Sequence, residues 1–196
     1  MSDRILNLPV DDAAVEELKI GDIVYLTGTV YTARDMGHLE MRKLVEAGQP
    51  LPENLAGNAI FHAGPVCLPE GDGGWRLNVI GPTTSIRMEP HADFVGQLGV
   101  KLILGKGGMA EGTLAACKKY KQAYLQAICG CAVKIGAGVK AVKRVHWLEN
   151  GMPEAMWVLD VEKFGPFVVG MDCHGDSIYD NVKANALKVA DELHPI

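Results

Sequence analysis

The stretch Asn78–Pro90, N-V-I-G-P-T-T-S-I-R-M-E-P, decides how the chain is read. An apolar run (Leu77, Val79, Ile80) stops at Gly81-Pro82. Three hydroxyl residues follow, Thr83, Thr84 and Ser85, and then Arg87. A strand end, a Gly-Pro turn, short hydroxyls and a helix start together aim backbone N–H groups at an anion. The same residues also fit an ordinary Thr/Ser cap on a helix beginning near Ile86.

Working outward, Ile23–Thr32 is rich in β-branched and aromatic residues and reads as a strand, with Gly28 marking a bulge or close backbone approach. Residues 4–9 read as a short strand, and Asp11–Leu18 shows no strong period. Thr32–Gly48 follows with Met36, Leu39, Met41, Leu44 and Val45 as a helical stripe and Gly48 as terminator. Arg34, Asp35 and His38 fall at its first turn. An arginine there opposes the helix dipole, so Arg34 either meets an anion or pairs with Asp35 or Glu46. His38 lies four residues on, able to share its face or to pack as a half-buried imidazole.

Ala59–His62 and Trp75–Ile80 read as strands around a hairpin tip at Glu70–Gly74. Ile86–Leu98 reads as a helix stopped by Gly99. Val100–Met109 is a strand entering G-K-G-G, where Lys106 sits between glycines without full phosphate-loop spacing. Glu111–Lys121 reads as a helix and Ala123–Ile128 as a strand ending in C-G-C-A. Val139–Trp147 and Ala155–Val161 read as two further strands, Phe167–Met171 as a short apolar stretch, and Ile178–Leu193 as a closing helix with Val182, Ala186, Val189 and Leu193 on one side. The mixture predicts one layered α/β or α+β domain over residues 1–196.

An apolar fraction of 48% supports a real core, and a net charge of −5 with no basic run makes nucleic acid a poor partner. The N-terminus lacks the pattern of a signal peptide and no stretch is long enough to span a membrane, so a cytoplasmic protein is expected. Five cysteines in no cluster-type spacing imply reduced thiols and no metal site of the chain's own. A zinc or thiol centre built from Cys129, Cys131 and His146 is a minor alternative.

Three strand ends thus carry a cation beside small or hydroxyl residues: T-A-R-D-M-G-H, G-P-T-T-S-I-R-M and G-K-G-G-M. Convergence of Arg34, Arg87 and Lys106 would suit a dicarboxylate, because a guanidinium offers a carboxylate paired donors. In this order and spacing the motifs resemble the β subunit, or C-terminal domain, of the class I (iron–sulfur) fumarate hydratase and L-tartrate dehydratase family, over nearly the whole chain. The resemblance implies a swivelling β/β/α domain and a hydro-lyase, with fumarate hydration in the tricarboxylic acid cycle as the first expectation and L-tartrate dehydratase or mesaconate hydratase as alternatives. It implies Arg34, Arg87 and Lys106 as substrate-carboxylate binders, Thr83 and Thr84 as the catalytic pair, and His38 and Asp35 in support. It also implies a 4Fe-4S cluster held by a partner α subunit and not by this chain, in a dimer of α/β heterodimers. A non-catalytic carboxylate-binding module is the rival from another class.

Overall fold

The strands are held in place by alternation. In β3 (Ala59–Phe61), β6 (Leu102–Gly105) and β7 (Ala123–Ala127) every residue but Gln126 is buried, as expected of parallel strands covered on both faces. The computed structural model describes residues 3–71 and 73–193. Strand β1 (Asp3–Asn7) lies parallel to β2 (Ile23–Thr32), β2 to β3, β3 to β6, and β6 to β7. Helix α1 (Asp12–Glu16) joins the first two strands, capped by Asp11, whose carboxylate accepts the Ala14 N–H at 2.9 Å. Helix α2 (Asp35–Glu46) joins β2 to β3.

Strand β9 (Met156–Met171) runs antiparallel and closes the system. It pairs with β2 along most of its length, with β7 near its end, and with β8 (Val139–His146) near its start. The pairings β2–β3–β6–β7–β9–β2 therefore form a ring. The strand expected at Ala155–Val161 runs on through the short apolar stretch Phe167–Met171, bent where Lys163 (φ 46) and Gly165 (φ 152) take left-handed conformations. A hairpin of β4 (Val66–Pro69) and β5 (Trp75–Val79) stands apart, tied back by Trp75 packed edge-on to the buried Trp157 at 5.3 Å.

Successive residues divide the core. Phe61, Leu104, Leu125, Trp157, Phe164 and Phe167 face one cluster, and Ile60, Ile103, Tyr124, Val158 and Met171 face the other. Helix α2 contributes Met41 to the second cluster, and α3 (Ala92–Gln97) contributes Phe94 and Val95. Helix α4 (Glu111–Tyr120) and the short α5 (Ala132–Gly136) flank β7 in sequence, and α6 (Ile178–Leu193) follows β9. The fold is mixed α/β, as the sequence predicts.

Three expectations change. The helix foreseen over Ile86–Leu98 is a 3₁₀ turn, Ser85–His91, leading into α3. The inward face of α2 is Gly37, His38 and Met41, while Leu39 and Val45 of the expected stripe are exposed. On α6, Val182, Val189 and Leu193 are also exposed. Gly28 fulfils its reading: β2 shifts register there against β9, and a Cβ would sit 2.8 Å from the Leu8 carbonyl oxygen. No helix among the described residues is long and apolar enough to cross a membrane.

Candidate active site

Strands β2, β3 and β6 are parallel neighbours, so their carboxyl ends lie side by side at one edge of the ring, where the loops that follow them come together. The residues that follow those ends are Ala33-Arg34-Asp35, His62 and Lys106-Gly107. The Gly81–Arg87 corner crosses this edge. Thr83 N–H donates to the His62 carbonyl at 2.7 Å, Thr84 bridges Lys106 as an isolated parallel β-pair, and Ser85 N–H donates to the Lys106 carbonyl at 3.1 Å. The Arg87 guanidinium is ion-paired with Asp35. All three motifs singled out in the sequence are thus joined: T-A-R-D to S-I-R through Asp35 and Arg87, and G-P-T-T-S to G-K-G-G through backbone pairing.

Arg34 occupies the N-cap position of α2 without a side-chain cap bond, and it pairs with neither Asp35 nor Glu46. Its guanidinium meets Glu154 at 3.1 Å, and Glu154 also accepts the Met36 N–H at 3.1 Å. Glu154 therefore satisfies the start of α2 in place of a cap residue. Arg34 Nε is buried with no hydrogen-bond partner. Lys106 Nζ has no ion-pair or hydrogen-bond partner among the described residues; its backbone alone is tied. Thr84 is exposed and Thr83 half-buried, and Thr84 makes no side-chain cap on the 3₁₀ turn. The ordinary capping role for the threonines is thus not taken up. Ser85 turns inward instead and is fully buried.

Behind the edge lie three imidazoles. His38 is fully buried and its Nδ1 sits 2.7 Å from the Arg34 carbonyl oxygen, so Nδ1–H donates there. It stacks on His91 at 5.0 Å and meets His62 edge-on at 5.5 Å. Burial lowers His38 to about 4 and pushes His62 well below the usual imidazole range. His91 is lowered by burial and by Arg42, whose guanidinium approaches its Nδ1 at 3.4 Å. The edge is therefore backed by neutral rings, and its positive charge comes from Arg34, Arg87 and Lys106.

The Arg87 turn has a second anchor. Glu89 accepts the N–H groups of Ala110 and Thr113 at 2.8 and 2.9 Å and the Thr113 hydroxyl at 2.7 Å. A carboxylate from a distant turn thereby caps α4. The Lys106 loop is held by Tyr124 and Tyr179, whose hydroxyls donate to the Gly107 carbonyl at 2.8 and 2.9 Å.

The chain matches the family model described as Fumarase C-terminus over residues 3–182. The chain belongs to that family. The L(+)-tartrate dehydratase subunit beta of Escherichia coli (strain K12) is 42% identical over 194 residues, covering 98% of this chain and 93% of its own. A putative L(+)-tartrate dehydratase subunit beta of Methanocaldococcus jannaschii is 42% identical over 181 residues, covering 91% and 92%. A putative fumarate hydratase class I of Geobacillus stearothermophilus is 40% identical over 184 residues, which is 93% of this chain but 35% of that one. Both names are those of hydro-lyases, and the chain is a β-subunit-type member of this hydro-lyase family.

The buried cysteines among the described residues do not fit an iron–sulfur cluster as ligands. Cys67, Cys117 and Cys173 are buried, and burial pushes the Cys67 and Cys117 thiols up to about 11 and about 12. Among the described residues no three His, Cys, Asp or Glu groups are placed to hold a metal ion. His146 lies 2.9 Å from Glu53, so a centre of Cys129, Cys131 and His146 is not assembled. Sequence reading missed His62 and the inward role of Ser85. The available signal was that His62 directly follows an apolar strand-like run, Ala59–Phe61, as Arg34 and Lys106 follow theirs closely.

Proposed function

We propose that the chain is the β subunit of a hydro-lyase that adds water to, or removes it from, a dicarboxylate with a four-carbon backbone. The observation that carries this is the linking of the three cation-bearing turns at one sheet edge, the Arg34–Asp35 turn to Arg87 by the Asp35 ion pair and the Thr83–Ser85 corner to Lys106 by backbone pairing. In this reading Arg34 and Arg87 take the substrate carboxylates, exchanging Glu154 and Asp35 for substrate oxygens. Lys106 adds a third charge from a fixed backbone. Removing a proton beside a carboxylate turns that group into a dianionic aci-carboxylate, which fixed cations stabilise more than they do the ground state. Thr83 and Thr84 present hydroxyls where such a proton is held or moved. A threonine hydroxyl is a weak base, and the unpaired Lys106 ammonium is the neighbour that would favour its ionised form.

A 4Fe-4S cluster bound by a partner α subunit would supply the Lewis acid for the leaving or entering hydroxyl. Such a partner agrees with the subunit names of the tartrate dehydratase relatives. L-tartrate is the first substrate to assay, because the tartrate-named relatives match over more than nine-tenths of both chains. Fumarate, favoured from sequence, is the second, supported by the C-terminal-type match to a fumarate hydratase.

The test is anaerobic assembly with a family α subunit, followed by assay against L-tartrate, fumarate and mesaconate. Turnover of one of them is expected only in the assembled enzyme. Arg87→Ala should lower kcat/KM by about 10²-fold or more, with the folded domain retained. Full activity of that variant would refute the role given to Arg87. Dicarboxylate binding by the chain without turnover in any assembly would leave the binding-module reading.

A further inference from the structure

Ser85 is unusual among the hydroxyls of its corner: it faces the interior with no exposed surface, while Thr84 beside it faces solvent. Its Oγ accepts the Lys106 N–H at 3.1 Å and lies 3.1 Å from Nδ1 of the buried His62. Its own N–H donates to the Lys106 carbonyl at 3.1 Å. Lys106 is therefore gripped at both backbone polar groups by one residue. His62 is held in turn through its main chain, its N–H donating to the Leu104 carbonyl at 2.8 Å and its carbonyl accepting the Thr83 N–H at 2.7 Å. One histidine thus touches both corners, Thr83 by backbone and Lys106 by way of Ser85.

The space is cut to this arrangement. A Cβ at Gly105 would fall 1.7 Å from Ser85 Oγ and 3.2 Å from His62 Nδ1, so no larger residue fits while Ser85 points inward. Burying a hydroxyl and an imidazole is unfavourable unless each finds a partner. A solvated turn lysine needs no such investment, and Lys106 Nζ makes no contact here that would explain it.

We propose that Ser85 and His62 are positioning residues for the reaction, setting the distance between the Lys106 ammonium and the Thr83–Thr84 hydroxyls. The inference rests on the hydro-lyase reading above. Burial keeps the His62 ring neutral, so in the tautomer that leaves Nδ1 bare the Ser85 O–H donates to it while its oxygen accepts from Lys106. Two donors and acceptors thereby fix one rotamer of Ser85 and one place for the Lys106 backbone. Small displacements at such a corner are costly to rate, because the transition state demands tighter geometry than binding does.

The distinguishing variants are at His62. An asparagine amide reproduces the place of Nδ1, and a glutamine amide reproduces that of Nε2, although glutamine is closer in size to histidine. In the enzyme assembled with its α partner, His62→Gln and Ser85→Ala should each lower kcat by about tenfold or more, with KM changed by about threefold or less, whereas His62→Asn should stay within about threefold of wild type. In the chain by itself, amide hydrogen exchange at Lys106 should rise by about tenfold in Ser85→Ala and His62→Gln and stay slow in His62→Asn. Equal behaviour of the asparagine and glutamine variants, or an unchanged Lys106 amide in Ser85→Ala, would overturn the proposal. Should Ser85→Ala not fold, the His62 pair decides by itself. Should the wild-type assembly turn over none of the substrates, the hydro-lyase reading fails, and amide exchange still decides whether His62 and Ser85 hold Lys106.

Discussion

Acidification should weaken this fold well before its carboxylates protonate, and the cause is the imidazole group behind the site. His38 is fully buried, its Nδ1–H is committed to the Arg34 carbonyl, and its Nε2 is buried without a partner. Protonating that ring places a charge against His62, His91 and, beyond His91, the Arg42 guanidinium. Its folded pKa is lowered from 6.5 to about 4, chiefly by burial. The sign follows: the unfolded chain binds the proton more readily, so stability is complete above the unfolded value and is lost as pH falls towards the folded one. Between about pH 7.5 and about pH 5 the loss from His38 alone is about 2 kcal/mol. His62 and His91 are lowered as well and act in the same direction. Urea unfolding of the chain across that range reads the slope. His38→Asn, which keeps a donor near the Arg34 carbonyl, should flatten the slope by about one proton. A stability constant over this range, or a His38 ring titrating near 6.5 by NMR, would refute this account of the cluster.

Two further outcomes follow from single contacts. Glu89→Ala removes the acceptor for two N–H groups and one hydroxyl at the start of α4, and it should cost about 2 kcal/mol, or about 4–8 °C in Tm, with Glu89→Gln in between. A Tm within about 1 °C of wild type for Glu89→Ala would show that the cap is replaced by water. Gly28→Ala combines a φ of 122° with a Cβ 2.8 Å from the Leu8 carbonyl oxygen, and it should destabilise the chain by more than about 1 kcal/mol. Unchanged urea midpoints would show that β2 relaxes to admit the methyl.

The fold was legible where period and punctuation agree. Ile23–Thr32 is a strand with the limits its β-branched run suggests, and Gly28 marks a close approach. Elsewhere one signal served two structures. The strand expected at Ala155–Val161 stops before E-K-F-G-P, yet left-handed residues at 163 and 165 let one strand bend through those residues, pairing with β2 on both sides of the bend and with β7 beyond it. Leu39, Leu44 and Val45 lie on the helical stripe of α2, but small Gly37 lets the helix approach Ala33 and Glu154, and of the stripe only Met41 is buried. A hydrophobic stripe gives the period of a helix and leaves open which side finds a partner.

At the site, charge was legible and neutrality was not. Arg34, Arg87 and Lys106 draw notice because cations beside small residues at strand ends need a reason. Glu154 draws none: it lies in a turn, 118 residues from the Met36 N–H it satisfies. His62 and Ser85 are polar residues in apolar surroundings, and a single sequence does not distinguish a residue buried for packing from one buried to hold a neighbour. The distinction is made by partners that are distant in the chain, Ser85 being 23 residues from His62 and 21 from Lys106. A charged binding group can be recognised from its own surroundings in sequence. The group that aims it is defined by where the chain returns, so it emerges only once β3 is seen to lie between β2 and β6.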